Sequence, residues 1–388
     1  MKRKYFSLIL SAVTAAALLA GCGSSSSGAA SSETAADSTS SGTESSGSSE
    51  QAHAMEGTTF PKDATVEDIL TQAAKENKIG DWGNGEQYEI QALLNKYNLK
   101  ADFLNQGFDM SGFDDGSITL ASAMSYNELG LIKNSYDGAY GSGDSVGVID
   151  LNKEGISMVE DNLVCTRSFA EENPNTVKAF ISATVKGWQY AAENPDEAAQ
   201  IVEDAGSTLS KEHQKYMAEE IAKLASNHIS GDKVTNYCEM KDEDLQQTLD
   251  LAKQYVTLDD SSAQSNLQDM TLDNLRDSSY YEDAVAGKFD APEKTDIKIQ
   301  LKWLAQSQFM GYYVALNKGY YKDAGLNVTI NQGGGDISET TAVNSGQVDF
   351  ASSWTIQTIT ANASGMDLIE VAQPTESAGM CMIYKIAE

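Results

Sequence analysis

The chain reads as an α/β protein of two lobes, and three observations point there. From about Thr58, short β-like runs alternate with helical ones, the pattern of a parallel or mixed sheet covered by helices. An all-helical stretch from Asn173 to about residue 286 then interrupts this alternation and leads into the polar connector GKFDAPEKTD with its Pro292. Beyond the connector the alternation restarts: Ile297, Ile299, Leu301 and Trp303 alternate with Lys298, Gln300 and Lys302, a period of two that defines one buried face. Two separate runs of one pattern imply two lobes, with a ligand cleft expected between them.

The segments before the first lobe bear on location. MKRKYFSLILSAVTAAALLAGC has a basic start (Lys2, Arg3, Lys4), an apolar run from Phe6 to Ala20 and a small-residue end, the layout of a secretion signal. The apolar run is shorter than the roughly twenty residues of a membrane span. Its ending, Leu19, Ala20, Gly21, Cys22, resembles the lipobox of bacterial lipoproteins, which implies that Cys22 becomes a lipid-modified amino terminus after cleavage. Residues 1–22 are thus expected to be a lipoprotein signal and the mature chain to be extracytoplasmic, held at the membrane by its lipid. Residues 23–56 are Ser- and Gly-rich without one aromatic, too polar to offset the entropy of ordering. They read as a tether with a reach of roughly 30 Å.

The first lobe is expected over 57–150. Its elements are the strand KIGDW, the helix EQYEIQALLNKYN, the strand ADFLNQG, a helical turn at MSGF, the strand ITLASAMS, the helix YNELGLIKNSY and the loop YGSGDSVG. Residues 151–388 should hold the hinge strands, the helices and the other lobe, whose LKW part lies near 296–388. VGVIDL and NLVCTRSF read as strands. In the helical region Val177, Phe180, Ile181, Val185 and Trp188 form one apolar stripe, which makes Trp188 a core residue. Asn173 and Asn194 each precede a proline at a first helical position. Helices follow at about 211–227, 243–256 and 271–286. The second lobe continues with the helix GYYVALNKGYY, the strand LNVTI, the turn NQGGGD, the helix SETTAVNS, the strand VDFASS, another helix, and the strands DLIEVAQ and MCMIYKI.

Charge and cysteines narrow the function. Removing Lys2, Arg3 and Lys4 takes the formal charge from −30 to −33, so nucleic acid, which needs Lys and Arg clusters, is not an expected partner. Cys165, Cys238 and Cys381 are odd in number and lack CxxC spacing, which reads as buried free thiols and not as a disulfide framework or zinc site.

Four stretches carry a family resemblance: LKWLAQSQFMGYYVALNKGYYKDAGLNVTI, GGGDISETTAVNSGQVDFASS, GFDMSGFDDGSITLASAMSYNE and FISATVKGWQYAAENPDEAA. They resemble the family that joins binding proteins for thiamine pyrimidine precursors, riboflavin and alkyl sulfonates with the yeast-type thiamine pyrimidine synthase. The resemblance implies a periplasmic-binding-protein-like (type II) fold. In that family the LKW segment precedes the YNE segment, whereas here YNE stands at 126–128 and LKW at 301–303. This order implies a circularly permuted chain, with the family's usual ends joined through GKFDAPEKTD.

The resemblance also implies that the ligand lies between Trp303 and the Tyr126 and Glu128 of the YNE motif. A physical case stands beside it, because ligands of open α/β sheets meet the carboxyl ends of strands. Flat aromatic rings can sandwich a heteroaromatic ring, and a carboxylate in the ring plane can accept from an exocyclic amine. The residues alone leave other roles open: Trp303 continues the apolar alternation and could pack inward, and Glu128 could favour a helix start. Gly334 in the GGGD turn could permit only a tight turn, and Asp336 with Glu339 resembles a capping box, although backbone amides there could hold a polar group. Asn105, Phe108 and Asp109, and the stretch from Trp82 to Asn84, are further candidates; of Tyr312 and Tyr313 at least one should be core.

An enzyme of the synthase type is the alternative. Its Cys-rich, iron-associated motif has no counterpart in this sequence, His53 falls in the tether, and His213 and His228 are expected on solvated helix faces. The expected function is therefore capture without chemistry or cofactor: a monomeric lipoprotein that closes on a small heteroaromatic nutrient and docks on an ABC permease. A thiamine pyrimidine precursor is the first expectation, riboflavin the second and an alkyl sulfonate the third.

Overall fold

Several helix starts in this chain are set by short polar side chains and prolines, as the sequence suggests. Thr65 caps the helix Val66–Glu76 by accepting from the Asp68 amide, and Asp68 reciprocates. Pro174 and Pro195 each occupy the first turn of the helices Pro174–Glu193 and Pro195–Asp204. Glu293 of the connector accepts from the Asn175 and Thr176 amides at 3.1 and 2.8 Å. Partial burial pushes its carboxyl up, but these amide bonds win and hold it at about 2.

The structure, a computed structural model, describes residues 55–83, 85–136 and 138–387. The signal with Cys22, the tether up to residue 54 with His53, and Asn84 lie outside the described residues. The strands are β1 (Thr59–Phe60), β2 (Ile79–Asp81), β3 (Phe103–Asn105), β4 (Ala121–Met124), β5 (Val146–Asp150), β6 (Asp161–Thr166), β7 (Asp296–Gln300), β8 (Asn327–Asn331), β9 (Phe350–Trp354), β10 (Leu368–Ala372) and β11 (Met380–Ile386). One sheet runs β1-β11-β4, with β5 also paired to β11; β2 and β3 form a parallel pair, tied to the residue before β4 by the Ile79–Leu120 bridge. A second, five-stranded sheet runs β10-β6-β9-β7-β8. The chain passes between the two sheets twice, from β5 to β6 and from β10 to β11.

This is a mixed α/β architecture, as expected, with several corrections. MCMIYKI does not complete the second sheet; as β11 it joins the first, opposite β1, β4 and β5. The strand expected through Phe169 ends at Thr166, whose hydroxyl accepts from the Phe169 amide and starts the helix Arg167–Glu172. The helix expected over 311–321 is Met310–Asn317 followed by Tyr320–Asp323, broken where Gly319 takes φ 79°. The helix expected over 271–286 is two short ones, Leu272–Leu275 and Ser278–Val285. Val66–Glu76 and Ser261–Asp269 are helices the pattern did not announce.

Trp188 is fully buried, as its stripe demands. Its helix lies so close to Met310–Asn317 that a Cβ on Gly187 would collide with the Gly311 carbonyl, and one on Gly311 with the Trp188 ring. Against the second sheet, Phe180 stacks on Phe350 at 4.3 Å and 10° and on Tyr321 at 4.9 Å and 18°. Truncating such a ring to alanine costs about 3 to 5 kcal/mol. Cys165, Cys238 and Cys381 are buried and free, and both Tyr312 and Tyr313 are core.

The histidines depart from expectation. His213 is buried on the inner face of the helix Lys211–Ala225, and burial pulls its pKa down to about 4. Its position three residues past the Ser210 cap turns it toward the core, where Tyr136 meets it at 5.4 Å. His228 lies past that helix, its Nδ1 3.4 Å from carboxylate oxygens of Asp244 and Glu376.

Candidate functional site

Aromatic side chains at strand ends and carboxyls at helix starts converge on one cleft. Trp82 follows β2, Met124 closes β4, Tyr126 follows it, and Trp354 closes β9. Phe108, Trp303, Glu86, Glu128, Lys302 and Gln308 also line the cleft, so both sheets contribute to it.

The rings form a partial box. Trp82 lies nearly parallel to Phe108, with centroids 6.1 Å apart, and Phe108 meets Trp303 at 4.6 Å and 59°. The Lys302 ammonium sits 4.5 Å above the Trp354 ring and donates to Gln357 Oε1. Trp303 reaches this place because β7 ends early. The expected alternation through 303 fails: β7 stops at Gln300, Lys302 is buried and Trp303 is half-buried on a bend. The Gly333 amide donates to the Trp303 carbonyl at 2.8 Å, and a Cβ on Gly333 would collide with the carbonyls of Leu301 and Lys302. The glycine loop therefore shapes the bend that turns Trp303 into the cleft.

Glu128 opens the helix Glu128–Lys133 and is buried. Its two oxygens accept from the Met124 amide at 2.9 Å and the Asn127 side-chain amide at 2.8 Å. Burial pushes the carboxyl up to about 7, the Met124 amide opposes the rise and Glu86 adds to it. Glu86, where the helix Gln87–Lys96 begins, is likewise lifted to about 7 by burial, with a further push from Asp81 and opposition from Lys302. Behind them Gln308 donates to both oxygens of Asp161, at 3.1 and 2.9 Å; burial raises this carboxyl to about 7 against those bonds. Tyr126 is buried, and burial followed by Asp161, Glu160 and Glu128 keeps its phenol neutral well above the usual range.

Of the candidates from sequence, Trp303, Tyr126, Glu128, Trp82 and Phe108 line this cleft. Asn105 and Asp109 do not: both are exposed, and Asp109 accepts from the Ser111 amide and hydroxyl at 3.1 and 2.8 Å in a local turn ahead of the helix Ser111–Asp114. Gly334 and Asp336 line an adjoining chamber that shares Lys302 and Trp303 with the first. Asp336 is no helix cap, because Ser338 accepts from the Thr341 amide to start Glu339–Asn344. Sequence reasoning missed Glu86, Lys302, Gln308 and Trp354. The rule that ligands meet carboxyl ends of strands would have found Trp354, the last residue of β9.

A family comparison decides the relationship. The chain matches the NMT1/THI5-like family over residues 50–198 and 306–387, more than half of its 388 residues. The chain belongs to this family. The NMT1/THI5-like family covers substrate-binding proteins of ABC transporters, for alkyl sulfonates and thiamine precursors, and most of its members are such binding proteins. Membership therefore supports a solute-binding or thiamine-related role and a two-sheet binding-protein-like fold. The match includes Tyr126 and Glu128 and stops short of Trp303. No curated protein matches the chain. Among the described residues, no helix is long and apolar enough to cross a membrane.

Proposed function

We propose that this protein is a non-enzymatic, extracytoplasmic solute-binding lipoprotein of an ABC importer, and that it captures a thiamine pyrimidine precursor of the hydroxymethylpyrimidine type. One observation carries the reading: Trp303, Phe108 and Trp82 offer ring faces in the cleft where the buried, firmly oriented Glu128 presents a carboxyl. A planar ring would stack on the aromatic faces while its exocyclic amine donates to Glu128. Capture needs no covalent step, only better contact with the ligand in a closed state than in an open one. The two crossings between the sheets supply the connections about which closure would turn.

The lipid anchor at Cys22, the monomeric state and the permease partner belong to the same proposal. So does the permuted order, with residues 57–150 as one lobe and most of 151–388 as hinge and other lobe. It is supported by the parallel β1–β11 pair, where Thr59 stands opposite Lys385. That is the neighbourhood expected if the usual chain runs on from one strand toward the other.

Riboflavin is a second reading, favoured by the adjoining chamber, which opens beside Lys302 and Trp303 and would admit a longer ligand. Calorimetry of the full chain against hydroxymethylpyrimidine, its formylamino analogue, thiamine and riboflavin tests both. Tight binding of a pyrimidine, weakened by Glu128→Gln, is the expected result. Binding of none of the four would overturn the proposal.

A further inference from the structure

The charges around the cleft are unbalanced in a way that a neutral ring does not require. Glu86 and Glu128 line it and Asp161 stands behind Gln308, while Lys302 is the basic side chain among the lining residues. That ammonium sits over the Trp354 ring, donates to Gln357 and offsets part of the charge of Glu86 and Asp161, but one cation among three carboxyls leaves the acids in excess. The aromatic faces point the same way, since each carries the negative side of a quadrupole toward whatever stacks on it. The Trp354 indole N–H favours the ionised Asp161 carboxyl but, being neutral, brings no positive charge to that side.

We propose that the cleft selects a planar ligand bearing a delocalised positive charge, such as a protonated amino-heterocycle or an amidinium, and rejects planar anions. The inference rests on the binding-protein reading above and adds the charge of the ligand to it. Glu128 is the principal discriminator. A carboxylate has about four acceptor positions; the Met124 and Asn127 donors take two and the backbone amide of Glu128 also reaches the group, which fixes the carboxyl plane and leaves room for a ligand N–H. A planar amidinium would place paired N–H donors against such a group and its ring against Trp303. An incoming cation also relieves the mutual repulsion of Glu86 and Glu128, which burial already makes reluctant to ionise. An anion would add to that repulsion, which argues against an alkyl sulfonate.

Benzamidine, benzamide and benzoate share one flat ring and differ in charge, so they separate charge from shape. Titrated into the full chain at pH 8, where both glutamates are largely ionised, benzamidine should bind at least tenfold more tightly than benzamide, and benzoate should not bind at millimolar concentration. Glu128→Gln should reduce the ratio of benzamidine to benzamide several-fold. Glu86→Gln should do so as well and serves if the first variant does not fold. Equal affinities for benzamidine and benzamide, measurable benzoate binding, or a ratio unmoved in the folded variants would each overturn the inference. Hydroxymethylpyrimidine in the same buffer keeps the two ideas apart: if it binds and the charge preference is missing, the inference fails while the capture reading stands. If none of these compounds binds, the inference fails, and the capture reading is then decided by the formylamino analogue, thiamine and riboflavin.

Discussion

Glu128 and Glu370 are two buried carboxyls that look alike by electrostatics and differ in what surrounds them. Burial is the first cause of the rise in each, to about 7 for Glu128 and about 8 for Glu370. Glu370 lies on β10, the edge strand of the five-stranded sheet beside β6, accepts from the Asn162 side-chain amide at 2.5 Å, and does not line the cleft. Glu128 stands at a helix start with aromatic rings and open space in front of it. A raised carboxyl pKa therefore marks burial; only a cavity with convergent aromatic and polar groups marks a site.

The largest expected effect that sharpens this contrast comes from neither acid. Trp303→Ala should reduce affinity for a planar heteroaromatic on the order of a hundredfold, from lost ring area and stacking. Calorimetry showing unchanged affinity would remove the indole from the site. Next, Glu128→Gln should weaken binding by about 1.5 to 3 kcal/mol, the range for a hydrogen bond to a charged group. Glu370→Gln should leave affinity alone and alter only stability; a matching loss of affinity would erase the distinction drawn above.

The pH dependence of stability should report these two acids together with Glu86. Glu86 and Glu128 keep their protons up to about 7, and Glu370 up to about 8, whereas an unfolded glutamate loses its proton near 4.5. The folded chain thus binds more protons in that window, so this contribution is full below about 4.5 and is lost as pH rises to about 8. Urea midpoints that rise across the window would contradict these carboxyls. Glu293 runs oppositely: with its carboxyl held at about 2, its contribution is full above about 4.5 and is lost as pH falls through 2. Glu293→Ala should cost about 1 kcal/mol, the usual worth of a helix cap, measured by denaturation at neutral pH.

What was legible in the sequence follows from which forces act locally. Periodicity located most strands and helices because burial of one face writes itself into spacing, as with Trp188 and the stripe from Val177. It misplaced the end of β7, because the bend at Lys302 and Trp303 is imposed by the glycine loop at 333–334, thirty residues away in sequence. Asp109 and Asp336 sit in loops beside strand ends and looked like site residues, yet the first serves a local turn and the second lies in the adjoining chamber. Glu86, Lys302 and Gln308 carry no pattern of their own; only the approach of separate segments turns them toward one cleft. The partners of β11 were unreadable for the same reason, since strand pairing across some 260 residues leaves no local trace.

Three of the chain's four tryptophans, Trp82, Trp303 and Trp354, line the cleft, while Trp188 is sealed in the helical core. Indole emission depends on local polarity and on nearby quenchers, so occupancy would change three of the four indoles at once while Trp188 supplies a steady background. The protein thus carries a built-in optical reporter of its own filling, readable without any label.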